Sequence, residues 1–108
     1  MGFYEDYVAR TPKSAQAAKR ASAIIPGGVG SAIQYWAPYP VYIKDSKGSK
    51  VWDMDGNEYI DYNMCYAAMV SGHGNEVIAE AISKQAYKGA LYGLPCEAAT
   101  LLAEEIQR

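Results

Sequence analysis

The segment KVWDMDGNEYIDY, at residues 50–62, carries the strongest structural signal in this 108-residue chain. Asp55 and Gly56 at its centre form a dipeptide typical of a tight hairpin turn, because glycine accepts the positive φ that such a turn needs. Aromatic and β-branched residues on either side favour extended backbone. The stretch therefore predicts two antiparallel strands, at 50–54 and at 58–62.

The register of this hairpin depends on the length of its turn. A two-residue turn at Asp55 and Gly56 predicts three favourable cross-strand pairs. They are Trp52 with Tyr59, Val51 with Ile60, and Lys50 with Asp61. The same register places Asp53 opposite Glu58, where two negative charges repel each other. A bulged turn is therefore an alternative to the two-residue turn.

A further strand is predicted just before the hairpin. Val41 and Ile43 alternate with more polar residues, which is the pattern of a strand with one buried face. The residues at 45–48 are typical of a turn. Together the three strands predict an antiparallel β-meander.

A helical arm is predicted at residues 4–25, with an interruption at Thr11 and Pro12. Ser14 is predicted to cap the second segment, at 15–23, whose apolar face consists mostly of alanine. Because alanine side chains are small, this arm can lie close against a neighbouring element, although its apolar face buries little area by itself.

Two amphipathic helices are predicted after the meander. The first runs from about residue 76 to 87, with Asn75 as its N-cap and Gly89 beyond its end. The second begins at Pro95, and its Leu/Ile face continues to the last residue. Because the chain offers no obvious partner for that face, we expect the 108 residues to be the beginning of a longer protein.

These elements define an α+β segment in which an N-terminal helical arm and a three-stranded antiparallel β-meander precede two helices. We expect four parts in it. They are a helical arm at 1–25, a loop rich in Gly, Pro and aromatic residues at 26–40, a small β-meander plus helix at 41–94, and the first helix of a further, large domain at 95–108.

Composition narrows the class of protein. Half of the residues are hydrophobic and 20% are charged, which is typical of a globular protein and not of a disordered one. The apolar runs are too short to cross a bilayer, and the first residues lack the pattern of an export signal. Two cysteines do not make a disulfide framework. We therefore expect a cytoplasmic protein without a membrane segment.

The charge pattern does not indicate a nucleic-acid partner. Residues 1–50 carry seven Lys and Arg against three Asp and Glu, a balance of +4. Residues 51–108 carry three against nine, a balance of −6, and the net charge is −2. The basic residues are scattered along the chain, whereas binding to a phosphate backbone requires them to be clustered.

Three local patterns resemble known sites, and each has a simpler structural interpretation. The glycine-rich loop lacks the spacing of a phosphate-binding loop. His73 is the single histidine, so multi-histidine metal sites are excluded, and it is interpreted as making one structural hydrogen bond. The carboxylates around the hairpin lack the twelve-residue ligand spacing of a calcium loop. No metal site is predicted.

Four motifs occur in an order that resembles the N-terminal part of class III pyridoxal-phosphate aminotransferases. They are IPGGVGS at 25–31, VWDMDGNEYIDY at 51–62, GH at 72–73 and YGLPCE at 92–97. Within this family, the glutamate-1-semialdehyde 2,1-aminomutases are the most similar group. The resemblance covers nearly the whole chain from residue 14 onward.

The resemblance implies a homodimeric fold-type I enzyme, several times longer than this chain. Such an enzyme moves an amino group between an amino and a carbonyl carbon of a small amino acid or amino aldehyde. It also implies pyridoxal 5′-phosphate, bound as a Schiff base to a lysine. Lys84 and Lys88 match no cofactor residue of the family, whose lysine lies beyond residue 108. We therefore expect the 108 residues alone to be inactive.

The resemblance implies three substrate-binding residues within the chain. Ser31 matches a loop serine that lies near the substrate in the family. Gln34 stands where the aminomutases have an arginine that holds the substrate carboxylate, and Tyr66 stands where they usually have tryptophan. Because glutamine lacks a charged, bidentate donor pair, a related aminotransferase that acts on another amino acid is a close alternative.

A stand-alone interaction module is the alternative function from another class. In that interpretation, the exposed helix face and the tyrosines bind a partner protein, because tyrosine combines an apolar ring with a polar hydroxyl.

Overall fold

The computed structural model describes residues 2–108, which divide into two compact units, one ending at Asn75 and one spanning Glu76–Arg108. The elements of the first unit are α1 (Phe3–Arg10), α2 (Pro12–Ser22), β1 (Ile43–Lys47), β2 (Lys50–Asp53), β3 (Glu58–Ile60) and the short turn α3 (Met64–Ala67). The second unit contains α4 (Glu76–Ala86) and α5 (Glu97–Gln107). The three strands form one antiparallel sheet in the order β1-β2-β3, which confirms the predicted α+β fold.

The register of the β2–β3 hairpin differs from the predicted one. The observed pairs are Lys50 with Ile60, Val51 with Tyr59, and Trp52 with Glu58. Each β2 residue therefore lies opposite a partner one position earlier than a two-residue turn would give. The two-residue turn is therefore wrong, and the hairpin has a longer turn, as the alternative of a bulged turn allowed. Residues 53–57 connect the paired positions, and the Asp53 N–H donates to the Asn57 carbonyl at 3.1 Å across the turn.

The carboxylate of Asp53 explains the longer turn. Its Oδ1 accepts the backbone N–H groups of Asp55 and Asn57 at 2.9 and 2.8 Å. Its Oδ2 accepts the Asn57 side-chain amide and the Tyr59 hydroxyl, both at 2.8 Å. Asp53 is 0% exposed, so these four bonds replace the water that the charge has lost. The chain wraps around the carboxylate, and Asp53 no longer faces Glu58.

The turn between β1 and β2 also lies later than predicted. Strand β1 extends through the predicted turn residues to Lys47, and Gly48 and Ser49 make the connection. Gly48 has φ 59, a conformation that glycine adopts without steric cost. Two backbone hydrogen bonds with His73, at 2.8 and 2.9 Å, hold Gly48 in this position. A contact with a distant segment therefore decides where this turn falls.

Helix α2 begins two residues before the predicted cap. Pro12 occupies its first turn, where a missing N–H costs nothing. The N-terminal N–H groups of Lys13 and Ser14 donate to the carboxylate of Asp55, at 2.9 and 3.2 Å. The predicted cap by Ser14 is therefore wrong, because a carboxylate from the hairpin turn fills that role and complements the helix dipole. The Ser14 hydroxyl is buried and accepts the N–H of Tyr42 at 3.0 Å.

The buried centre of the first unit is small and largely polar. The buried residues are Thr11, Ser14, Ala17, Ala18, Gly28 and Asp53. Within residues 2–108, every buried side-chain nitrogen or oxygen atom has a hydrogen-bond partner. The alanine face of α2 admits the backbone of the following loop at close range. At Gly28, which has φ 70, an added Cβ would lie 2.7 Å from the Ser22 hydroxyl oxygen.

In the second unit, the predicted end of α4 is confirmed and the predicted start of α5 is wrong. Gly89, with φ 97, follows α4 and donates its N–H to Ala86 at 3.3 Å, as the predicted end requires. Helix α5 begins at Glu97 and not at Pro95, because Cys96 before it has extended backbone. Within residues 2–108, no helix is long and apolar enough to cross a membrane.

Replacing Asp53 with alanine tests its role in the turn. The variant Asp53→Ala leaves the donors of Asn57 and Tyr59 without their acceptor, so we expect the local free energy of unfolding to fall by about 2–4 kcal/mol. Native-state hydrogen exchange at the amides of β2 and β3 measures this change. Asp45→Ala, at an exposed position of β1, is the control and should change it by less than about 0.5 kcal/mol. Equal effects of the two variants would contradict the assigned role.

Acid should remove the same stabilisation. Burial alone would raise the pKa of Asp53, but the hydrogen bonds from Asn57, Tyr59 and the backbone outweigh it and lower the pKa. A carboxyl with a lowered folded-state pKa stabilises the fold above its unfolded pKa of about 4, and loses that effect as the pH falls through the folded value. The difference in exchange between wild type and Asp53→Ala should therefore be constant at neutral pH and shrink below about pH 4. A difference that stays constant into strong acid would exclude this explanation.

Candidate substrate-side site

Gln34 and Tyr66 line the same cavity, which has a volume of about 850 Å³ and lies in the first unit. Its walls come from the glycine-rich loop, from the extended segment at 40–43 and from α3. Two of the three predicted substrate residues are therefore neighbours, although 32 positions separate them in the sequence. The distance of 3.3 Å from the Tyr66 hydroxyl to the carbonyl of Ile33, beside Gln34, shows how close the two walls are.

The packing of the glycine-rich loop on α2 fixes the position of Gln34. A 3-10 turn at Pro26–Gly28 lies against the helix, and the Tyr42 hydroxyl donates to the Gly28 carbonyl at 2.8 Å. A second 3-10 turn, Ala32–Gln34, follows, in which the Gln34 N–H donates to the Ser31 carbonyl at 2.9 Å. The loop is thus a folded support for Gln34 and not an open phosphate cradle.

Ser31 lines an adjacent pocket of about 550 Å³. Ile25, Val29 and Gly30 border both this pocket and the larger cavity. The structure brings Gln34 and Tyr66 together but does not bring Ser31 to the same wall. A role for Ser31 in substrate binding stays a prediction.

Tyr66 is carried by an unusual turn. All four residues of α3 have positive φ, from 45° to 66°, although none of them is glycine. Left-handed backbone costs roughly 1–2 kcal/mol for each such residue, so the turn persists only because surrounding bonds hold it. Asn63 supplies two of these bonds: its side-chain oxygen accepts the Tyr66 N–H at 3.0 Å, and its carbonyl accepts the Ala67 N–H at 3.1 Å.

The tyrosine hydroxyls around the cavity are already engaged as donors. Tyr7 donates to the Tyr39 carbonyl at 2.6 Å, and Tyr59 donates to Asp53 at 2.8 Å. Burial, together with the bond to Asp53, raises the pKa of Tyr59 to about 12, and burial also raises the pKa of Tyr7. Both phenols therefore stay protonated near neutral pH and do not act as general bases there.

The cavity wall is electrically neutral. Among the described residues that line it, none is Lys, Arg, Asp or Glu, and Gln34 and Asn63 supply the amide groups. This wall suits a neutral or apolar part of a small molecule. It does not by itself fit pyridoxal phosphate, because it offers no lysine amine for a Schiff base and no cation for the phosphate.

The acidic residues of the hairpin are bound to groups of the protein itself. Asp53 and Asp55 accept backbone N–H groups, as described above. Asp61 and His73 form a pair, with 2.7 Å between Oδ2 and Nε2. The hydrogen bond from His73, and then those from Met64 and Asn63, lower the pKa of the Asp61 carboxyl. Within residues 2–108, no group of three His, Cys, Asp or Glu residues is arranged to hold a metal ion.

The predicted hydrogen bond of the His73 side chain is present, but the sequence pattern did not predict its partner. In the predicted register, Asp61 lies opposite Lys50. In the structure, the amine of Lys50 lies 2.6 Å from Glu58, and Asp61 is directed to His73. The sequence gives one hint of this pair. Asp61 lies near the end of the hairpin motif, and His73 directly follows Gly72 at the end of the next loop.

Comparison with known proteins shows the class to which this fold and site belong. The profile of the family Aminotransferase class-III matches residues 33–108. Since this is most of the chain, the chain belongs to the class III aminotransferase family.

Individual relatives narrow the comparison. The chain is 48% identical over 94 residues to the glutamate-1-semialdehyde 2,1-aminomutase of Methanosarcina acetivorans, which covers 87% of the chain and 22% of that protein. It is similar to the crystal structure of a glutamate-1-semialdehyde aminomutase from Pseudomonas aeruginosa PAO1, with a TM-score of 0.81, 29% identity, and coverage of 92% of the chain and 22% of that structure. An omega-transaminase from Sphaerobacter thermophilus gives a TM-score of 0.80 at 35% identity, covering 90% of the chain and 23% of that structure.

The chain thus spans about a fifth of the length of the relatives that it matches. The matches confirm the predicted family and the fold of a transaminase. No comparison favours the alternative of a stand-alone, non-catalytic interaction module.

Proposed function

We propose that this chain is part of a longer class III enzyme that moves an amino group between an amino and a carbonyl carbon. The family match over residues 33–108 is the observation that carries the proposal. Pyridoxal 5′-phosphate is the proposed cofactor, and its ring supplies an electron sink for amino transfer. Since the cavity wall here lacks a lysine, the lysine that binds the cofactor is proposed to belong to another part of the enzyme.

Within this enzyme, the 108 residues are proposed to form one wall of the substrate site. Gln34 and Tyr66 face a common cavity, so one small molecule can contact both. The amide of Gln34 donates and accepts hydrogen bonds but carries no charge, and it holds a carboxylate much more weakly than an arginine does. The proposed substrate is therefore an amino acid or amino aldehyde whose part nearest Gln34 is neutral. Ser31 is proposed to contact the substrate from the adjacent pocket.

A homodimer in the cytoplasm is proposed as the working form of the full-length enzyme. The family membership of the chain supports this proposal, because the resemblance to class III aminotransferases implies a homodimer. Glutamate-1-semialdehyde aminomutases and an omega-transaminase are both among the similar proteins, so aminomutase and aminotransferase activities are two forms of the same proposal.

The proposed function is tested by comparing two purified proteins, the full-length protein and the 108-residue chain. We expect the full-length protein to retain pyridoxal phosphate after dialysis. We also expect amino transfer on a panel of amino acids and amino aldehydes, either from a substrate to a keto acid or between two carbons of one substrate. The 108-residue chain should do neither, because its cavity offers no lysine. Absorbance of the bound cofactor and detection of the new amino acid are the measurements. Amino transfer by the short chain alone, or its absence from the full-length protein across the panel, would overturn the proposal.

The substitution Gln34→Arg in the full-length protein tests the substrate wall. An arginine adds a charged, bidentate donor, so we expect kcat/KM for substrates with a carboxylate at this position to rise about tenfold relative to neutral ones. Gln34→Glu is the matched control, since it adds a charge of opposite sign and should lower the same ratio. Relative kcat/KM values that stay the same in both variants would show that Gln34 does not contact the substrate.

A further inference from the structure

The loop that carries Tyr66 is closed by one ionisable pair. Asp61 stands just after β3 and His73 stands at the other end of the loop, with 2.7 Å between Oδ2 and Nε2. Their side chains are only 15% and 18% exposed. Because a carboxylate oxygen can only accept, the Nε2 atom of His73 carries the proton of this bond. The pair therefore joins the start of the loop to its end.

His73 is itself tied to the sheet. Its N–H donates to the Gly48 carbonyl at 2.9 Å, and its carbonyl accepts the Gly48 N–H at 2.8 Å. The preceding residue, Gly72, has φ 76, and an added Cβ there would lie 3.1 Å from the Gly48 carbonyl oxygen. The loop end is thus fixed on the β1–β2 turn, so the imidazole presents a firm anchor to Asp61.

Asp61 also organises the start of the loop. Its Oδ1 atom accepts the backbone N–H groups of Asn63 and Met64, at 2.8 and 2.9 Å. Met64 is the first of the four left-handed residues that place Tyr66 at the cavity. One carboxylate therefore holds the entry to the left-handed turn with one oxygen and the exit of the loop with the other.

We propose that Asp61 and His73 are positioning residues for the substrate site, and that their hydrogen bond sets the place of Tyr66 at the cavity. Neither residue lines the cavity. Their effect on the substrate passes through the backbone of the left-handed turn. The proposal rests on the proposed function for its substrate, whereas the geometry it describes is a property of the loop itself.

Hydrogen exchange of the loop in the full-length protein tests the geometry without reference to activity. Asp61→Ala removes both acceptor atoms, and His73→Leu removes the donor while keeping similar bulk. We expect the amides at 63–67 to exchange roughly tenfold faster in each variant, since a charge-assisted bond is lost. The double variant should show less than the product of the two effects, because both variants break one shared bond. Amides of β2 and β3 should remain protected.

Two further variants separate this role from a general loss of structure. His73→Gln keeps a side-chain N–H donor near the position of Nε2, so it should restore most of the protection that His73→Leu loses. Glu58→Gln removes a carboxylate from the same sheet, where Glu58 is exposed and pairs with Lys50, and it should leave exchange at 63–67 unchanged.

Steady-state kinetics supply the second readout. Displacement of Tyr66 weakens the binding of the substrate. Asp61→Ala and His73→Leu should therefore raise KM about tenfold and change kcat by less than about threefold. A merely destabilised enzyme has fewer active molecules and therefore shows a lower kcat at an unchanged KM. Faster exchange at 63–67 together with a raised KM supports the proposal.

The outcomes distinguish the two proposals from each other. If the full-length protein transfers amino groups but exchange at 63–67 and KM are both unchanged in Asp61→Ala and His73→Leu, the positioning role is wrong and the proposed function stands. Lower kcat at unchanged KM also overturns the positioning role. If no amino transfer occurs in wild type, the proposed function fails, and the exchange data alone decide whether the pair holds the loop.

Discussion

The buried carboxylate of Asp53 is the interaction on which the rest of the first unit depends. It accepts four hydrogen bonds from the turn that it begins, and a charge that is 0% exposed requires such partners. These bonds set the length of the turn, the register of β2 against β3, and the direction of Asp55. Asp55 then caps α2, and Asn57 donates to the carbonyl of Arg10 at 2.9 Å. One side chain thus joins the hairpin to the helical arm.

The same kind of bonding recurs at Asp61, so three carboxylates of the hairpin motif, those of Asp53, Asp55 and Asp61, bind backbone N–H groups. Asp53 and Asp55 orient the sheet against α2, whose alanine face seats Gly28 and the loop of Gln34. Asp61 begins the loop that carries Tyr66. An acidic motif that resembles a cation site is therefore a set of anchors for backbone amides. This explains why the motif lies at the centre of a structure whose cavity contains no charged side chain among the described residues.

The absence of charged side chains from the described lining of that cavity affects which substrates the cavity can bind. An enzyme distinguishes substrates through the groups that contact them. A neutral amide binds a substrate carboxylate much more weakly than a guanidinium does. A backbone with a TM-score of 0.81 to a known aminomutase can therefore support a different substrate preference. The proposed difference in substrate preference rests on Gln34 and Tyr66, not on the backbone fold.

Local sequence patterns were enough to predict the helical arm with its break at Thr11, the three antiparallel strands, the two later helices and the family. These follow from local patterns of apolar residues, glycine and proline, and from the ordered motifs. Tertiary structure alone decided the strand register, the cap of α2 and the partner of His73. The physical reason is that each depends on which groups one side chain bonds to. The Asp53 carboxylate sets the register through bonds to residues two to six positions away, and Asp61 and His73 are 12 positions apart. The cap joins positions 42 apart, and a local pattern contains no information on such distances.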